Sequence, residues 1–474
     1  MIQPSLQPGS VKAACVPRRR WAFGFTGRSV GLLIAGFFLL IPGFWNSELS
    51  YAMLVWDALV LLAAFLDGRR LPRAAELSAG RSWTNAPALD SETEIELTVE
   101  NRGRVIVHCV LDDDLPASLA VQPETQSVIA FPNVPAAVRY RIEPRERGDW
   151  NAGRLYIAYR SSLGLAERWA VAPLDQPVRV YPALRIGEEQ KLFLARSRQI
   201  DLQLRQARQR GLGRDFESLR EYREGDDLRD ICWTATARRG TPITRQYQTE
   251  RSQPVWIVLD CGRLMRSKIR ALPSGHVAPV AAFPVRTHSK LDFACTTAVS
   301  LAQLALYSGD RVGLLAYGQS TQQRLLPGRG ASHLRQMIES LAQVRAEGSE
   351  ADHLRATAVL NRLQPRRSLI LWITDLAETA MRPEVIDGAV QLLRRHVLLF
   401  VAMAQPEIEK IAEARPKNVE QMFRAAAAQE MAGRREVLLA RLHEQGALTL
   451  DLNPEALTST VLNQYLAVKE RAMV

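Results

Sequence analysis

The chain is short of the residues that most often mark a reactive centre. Its five cysteines (Cys15, Cys109, Cys232, Cys261 and Cys295) are scattered over 474 positions with no CxxC pair. That argues against both a disulfide framework and a zinc site. The seven histidines are equally dispersed, and none falls in an HExxH or HxH pattern. Aromatic residues are absent from the most basic stretch, Arg196 to Arg214, which reads RSRQIDLQLRQARQRGLGR. The net charge of +11 and pI near 9.7 invite a nucleic-acid reading. Without rings for bases to stack on, that reading loses its main support, and nucleic-acid binding is not expected. The stretch reads instead as a basic linker or helix suited to anionic lipid headgroups.

What is present is ample apolar material. A hydrophobic fraction of 47% is ordinary for a folded protein, and 474 residues are long for one domain. Two apolar runs stand near the start, Ser29–Trp45 (SVGLLIAGFFLLIPGFW) and Tyr51–Leu66 (YAMLVWDALVLLAAFL). Each is at the short end of what spans a bilayer, and the connector NSELS allows only a tight helical hairpin. Arg18, Arg19, Arg20 and Arg28 precede the pair and Arg69, Arg70 and Arg73 follow it, while Asn46–Ser50 has no Lys or Arg. The positive-inside rule then puts both ends in the cytoplasm. The expectation is a multi-pass protein of the inner (cytoplasmic) membrane with its soluble domains in the cytoplasm. A cleaved signal peptide is the competing reading, weakened by the second run and by the lack of a clear small-residue cleavage site. Asp57 inside the second span marks a polar contact with a partner helix or with the first span.

The divisions expected are a basic N-terminal tail over 1–28, the transmembrane hairpin over 29–73 and a β-sandwich-like domain over 74–182. A basic linker with a charged signature follows over 183–250, and an α/β domain over 251–474. The sandwich rests on IELTVENRG, VIVHCVLDD, LAVQPE, AVRYRIEPRERG, GRLYIAY and VRVYP, which alternate apolar and polar residues between Gly, Pro, Asn and Asp. The α/β domain rests on the buried strands PVWIVLD, SLILWITDL and HVLLFVAM, separated by helical segments such as DFACTTAVSLAQLALYS. Continuous apolar strands of this kind predict a mainly parallel sheet with helices on both faces.

Between them lies RDFESLREYREGDDLRDICWTATARRG, followed by ITRQYQTERSQPVWIVLDCGRLM. Asp226 is placed to cap a helix beginning at Asp227, with Leu228, Ile231, Cys232 and Ala235 on one face and Gly240 as the stop. Nothing beside the paired charges supplies a nucleophile, a histidine or a phosphate-cradling glycine loop. An ion-pair network or a protein-docking surface is therefore expected here rather than an enzyme. The rival is a metal-assisted hydrolase using Asp226, Asp227 and Asp260.

This stretch resembles the signature of the Domain of Unknown Function 58 (DUF58) family of bacterial proteins. Tyr222, Gly225, Asp226, Asp227, Arg229, Trp233 and Arg238 are the signature positions and the candidate interaction residues. The resemblance implies a von Willebrand factor A-like (vWA), Rossmann-like domain running to the C-terminus, and a MoxR-type AAA+ ATPase as partner. It also implies a Mg²⁺ site of the form Asp-x-Ser-x-Ser with a Thr and a later Asp. Asp260 and Asp375 match the two aspartates, but Gly262 and Leu264 stand in place of the serines. The Thr position is open between Ser349 and Ser332. Leucine cannot ligate a hard cation, so the site is degenerate, and the alternative is that Asp260 and Asp375 pair with arginines such as Arg263 or Arg266. Ile269–Ser289, with His276 and His288, reads as a mobile loop at the same edge.

Overall fold

The computed structural model describes residues 9–18, 23–38, 48–119, 125–183, 215–223, 228–248, 253–271, 286–376 and 384–471. The chain divides into two compact units, 1–183 and 184–474.

The first unit opens with three short strands, β1 (Val11–Ala14), β2 (Val16–Pro17) and β3 (Phe23–Phe25). Two helices follow, α1 (Gly27–Phe37) and α2 (Glu48–Arg70). Then come β4 (Leu77–Trp83), β5 (Thr93–Asn101), β6 (Val107–Asp113), β7 (Gln126–Ala130), β8 (Pro135–Ile142), β9 (Gly148–Ala152), β10 (Leu155–Ser161), β11 (Ala166–Ala172) and β12 (Gln176–Val180). One sheet runs β1-β4-β5-β8 and the other β2-β11-β10-β6-β7, with β3 also on β11 and a separate β9–β12 pair. Strict alternation explains the layers: β5 buries every second side chain, so Ile95, Leu97 and Val99 share one face. They join Val107, Cys109, Leu111, Leu155, Ile157 and Tyr159 of the second sheet in one core.

One expectation changes here, and another falls mostly outside the described residues. The stretch read as a basic tail, 1–28, carries β1–β3, which pair with strands far along the chain: Val11 opposite Arg81, and Phe25 opposite Ala166. Of the segment LAVQPE, residues 120–124 lie outside the described residues, and the strand in this region is β7, beginning at Gln126.

In the hairpin region, α2 is the one described helix long and apolar enough to cross a membrane, over Tyr51–Arg70. Its 23 residues give about 35 Å of length at 1.5 Å per residue. The 11 residues of α1 give only about 16 Å on the same scale. Residues 39–47, which hold the rest of the first apolar run and most of the connector, lie outside the described residues. The two helices pack closely: the Trp56 indole N–H donates to the Leu32 carbonyl at 2.9 Å. A Cβ on Gly36 would stand 2.5 Å from Trp56, so glycine is needed for that approach.

The second unit holds β13 (Asp215–Glu221), α3 (Trp233–Arg239), β14 (Ile243–Gln248), β15 (Pro254–Asp260), β16 (Lys268–Ala271) and β17 (Arg286–Ser289). It continues with α4 (Lys290–Tyr307), β18 (Arg311–Tyr317), β19 (Thr321–Gly328), α5 (Gly330–Gln343), α6 (His353–Leu363), β20 (Leu369–Thr374) and α7 (Glu384–Leu393). It closes with β21 (Val397–Met403), α8 (Pro406–Glu413), α9 (Val419–Glu444), β22 (Leu448–Leu452) and α10 (Leu457–Glu470). The main sheet is ordered β19-β18-β15-β20-β21-β22, parallel throughout except for the antiparallel edge strand β19. Every residue of β20 and β21 is buried, as strands covered on both faces require. The chain leaves β15 for β18 on one side and later returns to β20 on the other, so the switch point lies between β15 and β20. Open sheets of this kind place ligand sites outside the carboxyl ends of their strands at that point.

Ile269–Ser289 is also bounded differently from the expected loop. Its ends pair as β16 and β17, Ile269 opposite His288, while 272–285, including His276, lie outside the described residues.

Candidate functional site

Asp260 ends β15, Asp375 directly follows β20 and Asp451 lies near the end of β22, so three carboxylates gather along the carboxyl edge of the sheet. Asp260 and Asp375 flank the switch point itself. Both are buried, at 4% and 1% relative exposure. Burial of this kind demands partners, and each carboxylate has them.

Asp260 Oδ1 accepts the Gly262 backbone N–H at 2.7 Å, and its Oδ2 accepts the Thr374 hydroxyl at 2.6 Å. Asp375 Oδ2 accepts from the Lys290 ammonium and from Gln405 Nε2 at 2.9 Å. Its Oδ1 faces Arg435 Nη1 at 3.5 Å, and Arg435 also forks onto Asp451 through Nε at 2.9 Å and Nη2 at 2.6 Å. The cations that answer the aspartates are therefore Lys290 and Arg435.

Local sequence explains how Lys290 arrives there. Ser289 and Asp292 form a capping box, each side chain answering the other's backbone N–H, and so fix the start of α4. Lys290 is the first residue of that helix, 1% exposed, and its ammonium reaches the sheet edge. A cation at a helix N-terminus works against the helix dipole, so the Asp375 carboxylate is a needed counterweight. Burial lowers the Lys290 pKa, and Asp375 works in the opposite direction. Burial also opposes the Arg435 charge, but Asp451, Asp375 and Glu409 together outweigh it and raise that pKa.

Beneath Asp260 lies a second polar chain. The Trp372 indole donates to the Tyr317 hydroxyl at 2.8 Å, and that hydroxyl sits 2.8 Å from His353 Nδ1. Burial holds Tyr317 well above the usual phenol value and pushes His353 down. A neutral imidazole accepting the tyrosine proton at Nδ1 satisfies both groups. Burial likewise pushes the Asp260 carboxyl up, while His353, Thr374 and Gly262 pull it down.

These contacts answer the magnesium question on chemical grounds. Mg²⁺ demands near-octahedral oxygen ligands at about 2.0–2.1 Å. Here all four carboxylate oxygens of Asp260 and Asp375 already face protein donors, and Gly262 and Leu264 bring no hydroxyl. Among the described residues, no group of three or more His, Cys, Asp and Glu could hold a metal. The residues present do not fit Mg²⁺. Of the two serines considered, the Ser349 carbonyl accepts the Arg263 N–H at 2.8 Å beside the edge, while Ser332 is exposed in the first turn of α5.

The charged signature is only partly in view. Gly225, Asp226 and Asp227 lie outside the described residues, and of Arg229 only the backbone is described, in a 3₁₀ turn over Leu228–Asp230. The helix expected from Asp227 begins instead at Trp233, with Cys232 as its N-cap, and ends at Gly240 in the left-handed conformation (φ +70°). It is α3, and it lies between the paired strands β13 and β14 in the chain. Tyr222 donates its backbone N–H to the Pro242 carbonyl at 2.8 Å, closing the base of this hairpin. Trp233 is 70% exposed and Arg238 is exposed on the same short helix.

Lys290, Thr374, Gln405 and Arg435 were not among the residues singled out from sequence. Lys290 could have been found: S-K-L-D before an apolar helical run is a capping box with a misplaced cation. Arg435 had no such signal, because α9 joins it to Asp375 across 60 positions.

Residues 218–414 match the family model described as Protein of unknown function DUF58. The uncharacterized proteins Rv1480 of Mycobacterium tuberculosis and Mb1516 of Mycobacterium bovis are each 26% identical to this chain over 200 residues. That match covers 41% of this chain and 56% of the length of each relative. Among solved structures, the conserved hypothetical protein BatB from Bacteroides thetaiotaomicron is 13% identical, covering 46% of this chain and all of its own, at a TM-score of 0.28. An uncharacterized membrane spanning protein from Vibrio fischeri is 13% identical over 45% of this chain and 96% of its own, at 0.18. The span of the family match takes in α3 and the sheet edge at Asp260, Lys290 and Asp375.

Proposed function

We propose that this chain is a membrane-anchored protein-interaction adaptor of the DUF58 kind. Its second unit is read as a vWA-like domain, its first as a β-sandwich, and its helix pair as a hairpin in the inner membrane with both units in the cytoplasm. The partner is a MoxR-type AAA+ ATPase, as the family resemblance implies.

One observation carries the adaptor reading. Arg435 ties the C-terminal half of α9 to Asp375 and Asp451 at the carboxyl edge. The N-terminal half of the same helix bares Val419, Met422 and Phe423, the last at 68% exposure, with Ile411 of α8 exposed nearby in sequence. Apolar groups clustered on one exposed helix face are what a partner covers. Asp260, bonded to Gly262 and Thr374, and the Lys290–Asp375 pair are buried; they hold the edge in shape and leave contact to α9.

The test is affinity purification of the full chain from gently solubilised, crosslinked membranes, with copurifying proteins identified by mass spectrometry. An AAA+ ATPase recovered with wild type and lost with Phe423→Asp, while the variant keeps its circular dichroism, is the expected result. Undiminished recovery with Phe423→Asp removes α9 as the contact. Recovery of no ATPase moves the binding role to the first unit.

A further inference from the structure

A single turn in the first unit touches both ends of the apolar helix pair. It is the turn from β10 to β11, Ser161–Ala166. At the start of α1, the Thr26 hydroxyl donates to the Gly164 carbonyl and the Thr26 N–H to the Leu165 carbonyl at 3.3 Å. Arg28 Nη1 donates to the Leu163 carbonyl at 3.3 Å. At the end of α2, the Asp67 carboxylate accepts the Ser161 hydroxyl and the backbone N–H groups of Leu165 (3.1 Å) and Ala166 (3.2 Å). Asp67 is 2% exposed, so those three bonds are its compensation for leaving water.

The surroundings of this clasp have the make-up of a membrane interface. Leu163 at the turn tip is 57% exposed and Phe25 beside it on β3 is 50% exposed. Arg28, Arg69, Arg70 and Arg160 are exposed around them, and the Arg69 guanidinium stacks over Phe65 at 5.5 Å. Apolar tips with arginines beside them suit the boundary where headgroups meet acyl chains.

Resting on the membrane-anchor reading, we infer that the Ser161–Ala166 turn is a membrane-contacting clamp. It fixes the entry and exit of the helix pair on one side of the bilayer, seats Leu163 and Phe25 where headgroups meet acyl chains, and sets the neighbouring arginines among anionic phospholipid headgroups. Continuity with α2 selects this occupant: the helix that crosses the bilayer ends on the turn, so the turn lies where the bilayer surface begins. β10 then runs away from the membrane. Arg154, just before its far end, is about 23 Å from Ser161 at some 3.3 Å per residue, and its side chain is 61% exposed.

The test uses the full chain in sealed vesicles of phosphatidylcholine and phosphatidylglycerol. All five native cysteines are buried, so an introduced thiol is the one a reagent reaches in the folded protein. Lys12→Cys precedes the helix pair and Arg139→Cys follows it; both side chains are exposed, at 52% and 63%. A membrane-impermeant maleimide labels both from the same side. Labelling from opposite sides overturns the two-crossing reading itself. A fluorophore on Leu163→Cys is quenched by nitroxide lipids labelled at headgroup depth, and one on Arg154→Cys is not. Same-side labelling with an unquenched Leu163 probe overturns the clamp and leaves the anchor intact. Adding Asp67→Ala keeps same-side labelling but lowers quenching at Leu163; quenching equal to that of the intact clamp shows that Asp67 does not hold the turn there.

Discussion

Removing the Lys290 ammonium tests whether the sheet edge is held by its internal cation. In Lys290→Ala, Asp375 keeps Gln405 at 2.9 Å and Arg435 at 3.5 Å but loses its closest counter-charge. Its side chain is fully buried, so water cannot replace the loss. Breaking a buried ion pair by deleting one partner costs about 3–5 kcal/mol. Arg435 remains to compensate in part, which places the expected loss near the lower end, about 3 kcal/mol. At about 1.4 kcal/mol per tenfold, that is on the order of a hundredfold in the folding equilibrium. Lys290→Met with Asp375→Leu removes both charges and leaves Arg435 forked onto Asp451, so the double variant recovers much of the loss. Urea unfolding followed by the emission of the second unit's buried tryptophans, Trp256 and Trp372, measures all three proteins. A single-variant loss under about 1 kcal/mol, as for solvent-screened pairs, or strictly additive effects, would refute the reasoning.

Other predictions use the same protein. Mg²⁺ or EDTA leaves the wild-type urea midpoint unchanged, because the carboxylate oxygens are already engaged; a midpoint that rises with Mg²⁺ contradicts this. Arg81 and Asp113 form a second buried pair, with Arg81 Nε 3.1 Å from Asp113 Oδ2 and further bonds to the Leu174 and Gly153 carbonyls. Asp113→Ala should destabilise the first unit by about 3–5 kcal/mol, read from its thermal transition. His396 is held neutral by burial, with Arg395 adding to the effect, and its pKa is lowered from 6.5. Below that value the unfolded chain takes up a proton that the folded one resists, so stability is full above about pH 6.5 and falls as pH drops. Urea midpoints from pH 8 down to 5.5 should fall less steeply in His396→Gln, and parallel curves would remove His396 as a source of the slope.

The parts of this fold that were legible in the sequence are those in which chemistry repeats locally. VWIVLD, LILWIT and VLLFVAM could only be strands covered on both faces, and Asp260 and Asp375 could be placed at their carboxyl ends from that alone. The alternation in TEIELTVEN showed a half-buried strand for the same reason. Pairing over long distances was not legible. Four residues at Val11–Ala14 have no periodicity of their own, and they become a strand because β4 supplies the ladder. The 26 residues of α9 lie in a stretch, Ala404–Gly446, from which no element was expected, so its Arg435 was missed as the second cation at Asp375. The metal pattern singled out Asp260 and Asp375, but the cation that meets Asp375 is a lysine 85 positions away.

The pairing of β1–β3 has a consequence for biosynthesis. These strands leave the ribosome before either apolar helix, yet their ladders are completed only when β4 and β11 have been made. During that interval the first residues are an unpaired arm, and contacts this distant in sequence form slowly. A truncation that starts the chain at Thr26 would strip β4 of β1 and β11 of both β2 and β3, leaving bare backbone N–H and C=O groups along two open edges. Such edges recruit other chains. What reads as a basic tail is in this protein a seam that covers two strand edges of the first unit.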